Sequence, residues 1–334
     1  MPIATPTLLL SRADVRALLT LDECIEAVEF TLAAAARGEA PPPRSLGFPT
    51  VDGGFHVKAA SFAGKRPYFA AKLNGNFPLN GSRHALPTIQ GLVLLSDAHT
   101  GAPLAVLDSI EITILRTGAA TAVAARRLAG ADASRVTILG CGNQGWISLD
   151  ALSRVRVLKS ATVWDIDPRA SEEFARRAET AFEFPVEPVG GIGARRSATR
   201  SSDIVITCTP SKAPILHEND VVPGTFVAAV GADSETKHEI DPRLMASSKV
   251  VTDDTDQCAR IGDLHHAIET GAMRADQVHA SLGEVLCGLR PGRESAREVI
   301  VFDSTGTALQ DVAAAALVFE RALQSGRGTP HVFA

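Results

Sequence analysis

Hydrophobic residues in the second half of the chain form short unbroken runs that alternate with helix-like segments. The runs at Val136–Leu139, Ala161–Trp164 and Ile204–Thr207 are typical of strands that are buried on both faces. Two more runs follow at Phe226–Val230 and Lys249–Thr252. This alternation of strand and helix predicts an α/β fold with a doubly wound parallel sheet.

The first half of the chain has a different pattern. Short apolar or alternating runs between Gly54 and Ser109 are separated by glycine, proline and asparagine, which predicts an antiparallel or mixed sheet. Before them, Asp22–Gly38 has the acidic first turn, the apolar spacing and the terminal glycine of an amphipathic helix. Pro41–Pro43 then forces an extended segment into Arg44.

Two further helices decide the predicted domain boundaries. An alanine-rich stretch, Ile110–Ala129, leads into the parallel sheet, and the last predicted helix, Ala308–Leu323, follows another apolar run. We expect this last helix to pack on the N-terminal domain, which makes that domain discontinuous. The predicted domains are residues 1–119 with 307–334, and residues 120–306.

The most informative motif is the segment Gly140–Gly145, between a predicted strand and a predicted helix. In dinucleotide-binding turns the first glycine makes the tight turn, the second lets the backbone approach a pyrophosphate, and the third allows close packing of helix and strand. These roles fall to Gly140, Gly142 and Gly145, and the N–H groups that begin the helix bind the phosphates. A second strand ends at Asp165, twenty residues beyond Gly145, so the motif has the context that makes it a strong signal.

Asp165 is placed to hydrogen-bond the ribose hydroxyls, and its charge would repel a 2′-phosphate, so NAD(H) is preferred and NADP(H) remains possible. Alternatively, Asp165 ends a strand and caps the next helix, a role that Asp167 could also fill. Thr209 lies in a turn that either carries the nicotinamide half of the cofactor or is an ordinary β-turn. Further cofactor contacts are expected from Thr117, Asn143, Gln144 and Thr305.

Composition narrows the class of function. The 334 residues suffice for two domains, and a net charge of −5 with interspersed signs indicates neither a nucleic-acid surface nor a membrane surface. Five widely spaced cysteines without a C-x-x-C pair favour reduced thiols over disulfides or a zinc site. Without a recognisable targeting or membrane-spanning segment, we expect a cytoplasmic protein whose partner is a small molecule.

Three cations of the first half, Arg44, Lys72 and Arg116, lie in mainly apolar stretches with few acidic neighbours. A buried cation requires an anion, so a substrate carboxylate is the candidate partner unless a protein carboxylate serves. The alternative is three separate surface cations whose aliphatic stems cover apolar surface.

Candidate acids and histidines lie in the second half. Asp233 follows a predicted strand at the edge where open α/β sheets bind ligands, and it is either the acid or base of a proton transfer or a turn cap. Glu239 resembles a solvated turn residue. His265 and His266 are adjacent rather than spaced i, i+4, so no metal site is expected.

Taken together in their order and spacing, several motifs resemble the ornithine cyclodeaminase and mu-crystallin family. These motifs are Arg44, Ala71–Pro78, Leu86–Thr88, Arg116–Ala120, the glycine turn, Gly231–Asp233 and Phe302–Gly306. The resemblance implies a homodimer, with a Rossmann domain that binds NAD(P) and a substrate and dimerisation domain built from both chain ends. It also implies that Arg44, Lys72 and Arg116 hold the substrate carboxylate, and that Asp233 is the acid or base beside the nicotinamide.

One segment departs from the cyclodeaminase pattern. Where that enzyme carries a glutamate thought to act on the second amine or the water, this chain has Phe55–Ala59, with His56 and Lys58. Such a pair is a poor host for an ammonium group, but it could donate a proton to an imine or hold a second acidic group. Alternatively, the two residues share one face of a strand, and that face is simply solvated.

The leading hypothesis is NAD(P)-dependent reduction of a cyclic ketimine, such as Δ1-pyrroline-2-carboxylate, to L-proline or its larger-ring homologue. The predicted substrate contacts are Arg44, Lys58, Lys72 and Arg116, and the predicted catalytic residues are His56, Lys72 and Asp233. Ornithine cyclodeaminase, which makes proline and ammonia from ornithine, is the first alternative. An alanine- or N-alkylamino-acid-type dehydrogenase and a non-catalytic protein that binds cofactor and ligand are the others.

Overall fold

The computed structural model describes residues 6–63 and 66–333. The chain divides into two compact units. The first unit comprises the residues up to Arg116 together with those from Thr307 onward, and the second unit is Thr117–Gly306. The boundary between the units lies after Arg116, whereas the sequence predicted it after residue 119.

The first unit contains a mixed sheet of seven strands. In chain order they are β1 Thr7–Leu10, β2 Arg44–Thr50, β3 Gly53–Phe62, β4 Tyr68–Asn76, β5 Ile89–Asp97, β6 Pro103–Asp108 and β17 Thr329–His331. Their order across the sheet is β17-β1-β6-β5-β4-β3-β2, and the strands from β2 to β6 pair antiparallel. The mixed sheet expected from the alternating runs is therefore present, and β4 continues through the segment that contains Lys72.

Helices cover one face of this sheet. The helices that begin in the first unit are α1 Arg12–Leu18, α2 Leu21–Ala36, α3 Asn80–His84, α4 Ser109–Leu128 and α12 Ala308–Ser325. Helix α12 packs against α2 and against strands β3, β4 and β5, so the last helix lies on the N-terminal strands. Its many alanines permit this close approach, and Gly326, with a φ of 63°, ends the helix.

The two faces of the sheet differ in their environment. The inner face, which α12 covers, carries Val93 and Leu107, both fully buried. The outer face carries Leu46, Leu73 and Leu92, which occupy one row across neighbouring strands and are 61%, 48% and 56% exposed. One face of the sheet thus belongs to the core, whereas the other is apolar and exposed in this chain.

The second unit is a parallel sheet with helices between its strands. The strands of the main sheet are β7 Arg135–Leu139, β8 Ser160–Trp164, β9 Val186–Pro188, β10 Ile204–Thr207, β12 Phe226–Ala229, β14 Lys249–Thr252, β15 Ala280–Ser281 and β16 Ile300–Asp303. A separate pair is formed by β11 Lys212–Leu216 and β13 His238–Ile240. The helices are α5 Asn143–Val155, α6 Pro168–Ala178, α7 Gly191–Arg200, α8 Pro242–Ser247, α9 Thr255–Ile261, α10 Asp263–Glu269 and α11 Leu282–Leu286, with 3₁₀ turns at Glu218–Asp220 and Ala275–Gln277.

The strand order identifies the fold of the second unit. The order is β15-β14-β16-β12-β10-β7-β8-β9, and all the neighbouring strands are parallel. The chain moves outward from β7 in one direction through β8 and β9, and in the other direction through β10 and β12 to β14 and β15, with β16 inserted between β12 and β14. This is the doubly wound Rossmann arrangement, so the predicted fold class is confirmed. Within the described residues, no helix combines the length and apolar character that crossing a membrane requires.

Candidate active site

The turn between β7 and α5 has a backbone that requires its glycines. Gly140 has a φ of 112°, and a Cβ there would lie 2.9 Å from the carbonyl oxygen of Cys208. A Cβ on Gly145 would lie 2.2 Å from the carbonyl oxygen of Gly140, so the helix could not approach the strand this closely with a side chain there. Around Gly142, by contrast, no described atom lies within 4 Å of such a Cβ. The first N–H groups of α5 are therefore accessible past Gly142, as a phosphate site requires.

Asp165 directly follows β8 and is tied to the glycine turn. Its carboxylate accepts the N–H of Cys141 at 2.8 Å and the N–H of Asp167 at 3.1 Å. The cap of α6 is Asp167, whose side chain accepts the N–H of Arg169 at 3.0 Å. Of the two roles that the sequence left open for Asp165, the helix cap belongs to Asp167, and Asp165 lies beside the turn, where a ribose contact needs a carboxylate.

Glu239 is not the solvated turn residue that the sequence predicted. It is fully buried, and its Oε1 accepts the N–H and the hydroxyl of Thr209 at 2.6 and 2.8 Å. Its Oε2 accepts the hydroxyl of Thr207 and the N–H of Gly231, both at 2.9 Å. Burial raises the pKa of Glu239, although these hydrogen bonds favour its charged form. One carboxylate therefore connects the loop after β10 with the loop after β12, which carries Asp233.

Two more buried carboxylates continue from Glu239. Asp263 Oδ1 accepts the N–H groups of Glu239 and Ile240 at 2.7 and 2.8 Å, and Asp303 accepts those of Asp263 and Leu264 at 3.3 and 2.9 Å. Burial raises the pKa of Asp263 well above its usual range and that of Asp303 to about 7. We call Glu239, Asp263 and Asp303 the carboxylate cluster. Most of the groups that donate hydrogen bonds to these carboxylates are backbone N–H groups.

Asp233 lies just past the carboxyl end of β12 and has a lysine partner. The Nζ of Lys237 donates to Asp233 Oδ1 at 2.5 Å, and the side chains are 19% and 44% exposed, respectively. Burial by itself would lower the pKa of Lys237, but the charge and hydrogen bond of Asp233 raise it. Lys237 therefore stays charged and orients the carboxylate. The sequence reasoning missed Lys237, because a spacing of four residues has no periodic meaning in a loop.

The first unit brings Lys72 and Arg116 together on a carboxylate of α12. The Nζ of Lys72 lies 2.7 Å from Asp311 Oδ1, and the Nε of Arg116 lies 3.5 Å from the same oxygen. Nη1 of Arg116 also donates to Oε1 of Gln310 at 3.2 Å. The side chains of Lys72, Arg116 and Asp311 are 4%, 9% and 2% exposed. The expectation of a buried cation with an anion is met by a protein carboxylate, which the sequence reasoning had not identified.

Lys58 belongs to the same group of charges. It is the register partner of Lys72 on β3, and it is 7% exposed. Burial lowers the pKa of Lys72 to about 7, and Arg116 and Lys58 lower it as well, whereas Asp311 raises it. We call Lys58, Lys72, Arg116 and Asp311 the cation cluster. The alternative of a solvated strand face is therefore wrong for Lys58.

His56 and Arg44 lie at the border of this cluster. His56 lies two residues before Lys58, on the same face of β3; it pairs in register with Asn74 and is half-buried. Arg44 is exposed at the first position of β2, with Ala59 as its register partner, so strand alternation assigns it to the face opposite Lys58. The structure thus brings Lys58, Lys72 and Arg116 together and leaves Arg44 outside the group.

The other residues predicted to contact a cofactor differ in accessibility. Asn143 and Gln144 begin α5, where Asn143 is exposed and Gln144 is half-buried. Thr305 is buried, and its hydroxyl accepts a hydrogen bond from Gln257 Nε2 at 2.7 Å. Thr117 is buried in α4. These threonines are therefore part of the packing of the second unit, whereas Asn143 is accessible at the helix start.

Helix α10 adds a third polar residue to the histidines noted in the sequence. One ligand atom each from His265, His266 and Glu269 lies within 4.8 Å of the others. His266 Nε2 is also 2.8 Å from the carbonyl oxygen of Lys237, and Glu269 is 69% exposed. Within the described ranges, these three side chains are of the kinds that bind metal ions. The spacing of the two histidines alone did not indicate such a group.

Comparison with known proteins supplies the family. The model of the ornithine cyclodeaminase/mu-crystallin family matches residues 5–326. The chain belongs to this family. The resemblance carried by the motifs is therefore confirmed, and it extends over nearly the whole sequence.

Solved structures and a curated relative of this family member are similar over both units. An archaeal alanine dehydrogenase dimer with bound NAD has a TM-score of 0.93 and 35% identity, covering 98% of this chain and 99% of that one. The Δ1-pyrroline-2-carboxylate reductase of Thermococcus litoralis, in complex with NADH and L-proline, has a TM-score of 0.90 and 31% identity, covering 97% and 99%. The iminosuccinate reductase of Paracoccus denitrificans is 33% identical, covering 96% of this chain and 98% of its own length.

Proposed function

We propose that this family member reduces a cyclic ketimine carboxylate, such as Δ1-pyrroline-2-carboxylate, to the corresponding cyclic amino acid with NADH. The observation that carries this proposal is the burial of Lys72 and Arg116 on a single carboxylate, Asp311. Two buried cations with one carboxylate between them retain an excess positive charge, which a small anion would neutralise. A carboxylate is common to the compounds in the names of the three relatives.

The residues of the glycine turn fit a dinucleotide. Gly140 provides the left-handed backbone, Gly142 leaves the N–H groups of α5 accessible, and Asp165 lies beside the turn. The carboxylate of Asp165 favours NADH over NADPH, because it would repel a 2′-phosphate. NAD and NADH in the two related structures support the same choice. When bound, the nicotinamide supplies the hydride that is added to Cα of the imine.

The side chains of this protein bind the substrate and move the proton. Lys72 and Arg116 bind the substrate carboxylate through charge-assisted hydrogen bonds, each worth about 1.5–3 kcal/mol. Such contacts fix the orientation of Cα, which is a main source of rate enhancement in hydride transfer. Asp233, once it has taken up a proton, donates that proton to the ring nitrogen as the C=N bond is reduced, so that Cα gains a hydride and nitrogen gains a proton. Lys237 holds the Asp233 carboxylate at 2.5 Å.

A second candidate is the reduction of an imine that carries two carboxylates. The observation that favours it is Lys58, which is buried next to Lys72 and shares a strand face with His56. An additional cation of this kind suits a second acidic group on the substrate. The name of one relative, iminosuccinate reductase, refers to an imine with two carboxylates.

A substrate panel tests the proposal. The loss of NADH or NADPH absorbance is followed with Δ1-pyrroline-2-carboxylate, its larger-ring homologue, iminosuccinate formed from oxaloacetate and ammonia, and pyruvate with ammonia. We expect the highest kcat/KM with a cyclic ketimine and NADH, whereas the second candidate predicts iminosuccinate. Ammonia release from ornithine without net cofactor consumption would support the cyclodeaminase instead. Binding of NADH without turnover of any imine or amino acid would leave only the binding-protein alternative.

We also propose that the family member forms a homodimer through the outer face of the seven-stranded sheet. The exposed row of Leu46, Leu73 and Leu92 forms an apolar surface of the kind that marks association sites. The dimer named for the alanine dehydrogenase structure supports this proposal. Light scattering should give a dimer for the native chain and a monomer for Leu73→Glu. Val157→Glu, at an exposed valine of the second unit, should remain dimeric.

A further inference from the structure

We propose that Asp311 is the positioning residue of the substrate-carboxylate site: it holds Lys72 and Arg116 at one point and keeps the Lys72 ammonium charged. This inference rests on the proposed function, in which the two cations bind the substrate carboxylate. Asp311 itself does not touch the substrate in this proposal. Its effect on binding passes through Lys72 and Arg116.

The geometry at Asp311 is that of a site with donors directed to one point. A single oxygen, Oδ1, contacts both Lys72 Nζ and Arg116 Nε. Among the described residues, Arg116 Nε, Gln310 Nε2 and Asp311 Oδ2 are buried without a hydrogen-bond partner. Buried polar atoms without partners are costly, and two of these three are donors, so the site has hydrogen-bonding capacity that the protein itself does not use.

The charges around Lys72 come from three elements. Strand β3 contributes Lys58, α4 contributes Arg116 and the hydroxyl of Thr113, and α12 contributes Asp311. Cys24 of α2 faces Arg116 and Asp311, and burial raises the pKa of its thiol to about 12, so it adds no charge near neutral pH.

Asp311 therefore favours the charged form of Lys72, whereas burial and the neighbouring cations Arg116 and Lys58 disfavour it. With Asp311 in place, the pKa of Lys72 is already lowered to about 7, chiefly by burial. Without the carboxylate, Lys72 would lose its proton at a lower pH. Neutral Lys72 cannot bind a carboxylate through its charge, so substrate binding would fail at a lower pH too.

The first experiment compares the pH dependence of KM for the imine in the native enzyme and in Asp311→Asn. Above the pKa of Lys72, KM should rise about tenfold per pH unit, and this rise should begin at lower pH in the variant. The value of kcat should change much less, because Asp233 is unaltered. The control is Glu320→Gln, which removes the charge of another carboxylate on α12, one that accepts a hydrogen bond from Tyr68. This control should leave the pH dependence of KM unchanged. A loss that is uniform across pH would mean a merely structural role and would overturn the inference.

A second variant identifies Lys72 as the group that titrates. Arginine stays protonated throughout this range, so Lys72→Arg in the Asp311→Asn background should remove the pH dependence of KM. Persistence of the same pH dependence in the double variant would overturn the inference. If Asp311→Asn does not fold, Asp311→Glu serves instead. This variant keeps the carboxylate charge but displaces Lys72. KM should therefore rise at every pH, without a shift of its pH profile. A shifted pH profile would contradict the inference.

A measurement without turnover separates this inference from the proposed function. The ¹³Cε signal of Lys72, assigned by its loss in Lys72→Arg, is titrated by NMR in the ligand-free protein. Its midpoint should fall in Asp311→Asn and stay unchanged in Glu320→Gln. An unchanged midpoint in Asp311→Asn contradicts the role of Asp311, whatever substrate the enzyme uses. A shifted midpoint together with no activity on any imine contradicts the proposed function alone.

Discussion

The two units of this protein bury charge in different ways. In the first unit, Lys72 and Arg116 share one side-chain carboxylate, that of Asp311. In the second unit, backbone N–H groups bind the buried carboxylates Asp263 and Asp303, and backbone and hydroxyl donors bind Glu239. The cation cluster therefore retains donors for a ligand, whereas the carboxylate cluster uses most of its acceptors within the fold, with Asp263 Oδ2 buried without a hydrogen-bond partner.

This difference separates charges that bind ligands from charges that fix loops. Backbone N–H groups neither titrate nor move independently of the chain, so a carboxylate they surround acts as a fixed connection between loops. A cation that faces one carboxylate and other cations still attracts an anion. The comparison predicts that changes in the cation cluster affect kinetics more than stability, and that changes in the carboxylate cluster do the reverse.

The largest effect is expected at Asp233, a carboxylate of the second unit that a side chain, Lys237, holds. Asp233→Asn should lower kcat by about 10²–10⁴-fold, because the amide cannot donate the proton to nitrogen, while NADH binding stays intact. Steady-state kinetics and a fluorescence titration with NADH measure the two effects. A decrease in kcat below about tenfold would show that another group delivers the proton.

Lys72→Met should weaken substrate binding without a matching loss of stability. The substitution removes a charged contact worth about 2–4 kcal/mol, so kcat/KM should fall roughly 30- to 1,000-fold, mainly through KM. Melting should change less than kcat/KM does, since Met fills the buried space and Arg116 still faces Asp311, although the substitution removes the hydrogen bond from Lys72 to Asp311. Lys249→Met, which removes a lysine paired with Glu294 and Glu298 in the second unit, is the matched control and should retain kcat/KM. If Lys72→Met lowered only the melting temperature, the comparison would fail for the cation cluster.

Glu239→Ala should have the opposite signature. It leaves the donors of Thr207, Thr209 and Gly231 without their acceptor, at a cost of about 3–5 kcal/mol. For a unit of this size, the midpoint of thermal unfolding should fall by roughly 6–20 °C, measured by circular dichroism. Glu235→Ala, at an exposed neighbour, should melt like the native chain. Unchanged melting of the Glu239 variant would mean that the loops are held by other contacts.

The smallest effect concerns pH. Burial raises the pKa of Asp303 from 3.8 to about 7, so between these values the folded state binds more protons than the unfolded state. The contribution of Asp303 to stability is therefore present at low pH and is lost as pH rises through this window. Asp303→Asn should weaken the decline of melting temperature with rising pH, measured by calorimetry at several pH values. Identical slopes in the two proteins would show that other groups dominate.

Much of the fold could be predicted because its signals are local. The runs that became β7, β8, β10, β12, β14 and β16 are unbroken apolar segments, and the mixed sheet of the first unit follows from its alternating runs. Short elements such as β1, β17 and helices α8, α9 and α11 were missed, since a few residues carry too little periodicity. The order of the strands across each sheet also needed the structure.

The candidate site could be predicted in part. Lys72, Arg116 and Asp233 stood out because charged residues in apolar segments or at strand ends are unusual. Asp311 lies in an alanine-rich helix, and Glu239 lies in a polar stretch after a turn, so neither has a local signal. Lys237 is an ordinary loop lysine until the loop places it beside Asp233.

The sequence by itself determined the turn between β7 and α5, because the backbone angles and close contacts that require Gly140 and Gly145 arise within a few residues. It also determined the hydrophobic periodicity that makes the strands. The tertiary structure alone decided which charges meet. Asp311 reaches Lys72 and Arg116 only because α12 packs on the strands of the first unit, and Glu239 reaches Thr209 only because β13 pairs with β11, which follows Thr209 in the chain. Pairing between residues far apart in the chain depends on packing, which no local pattern encodes.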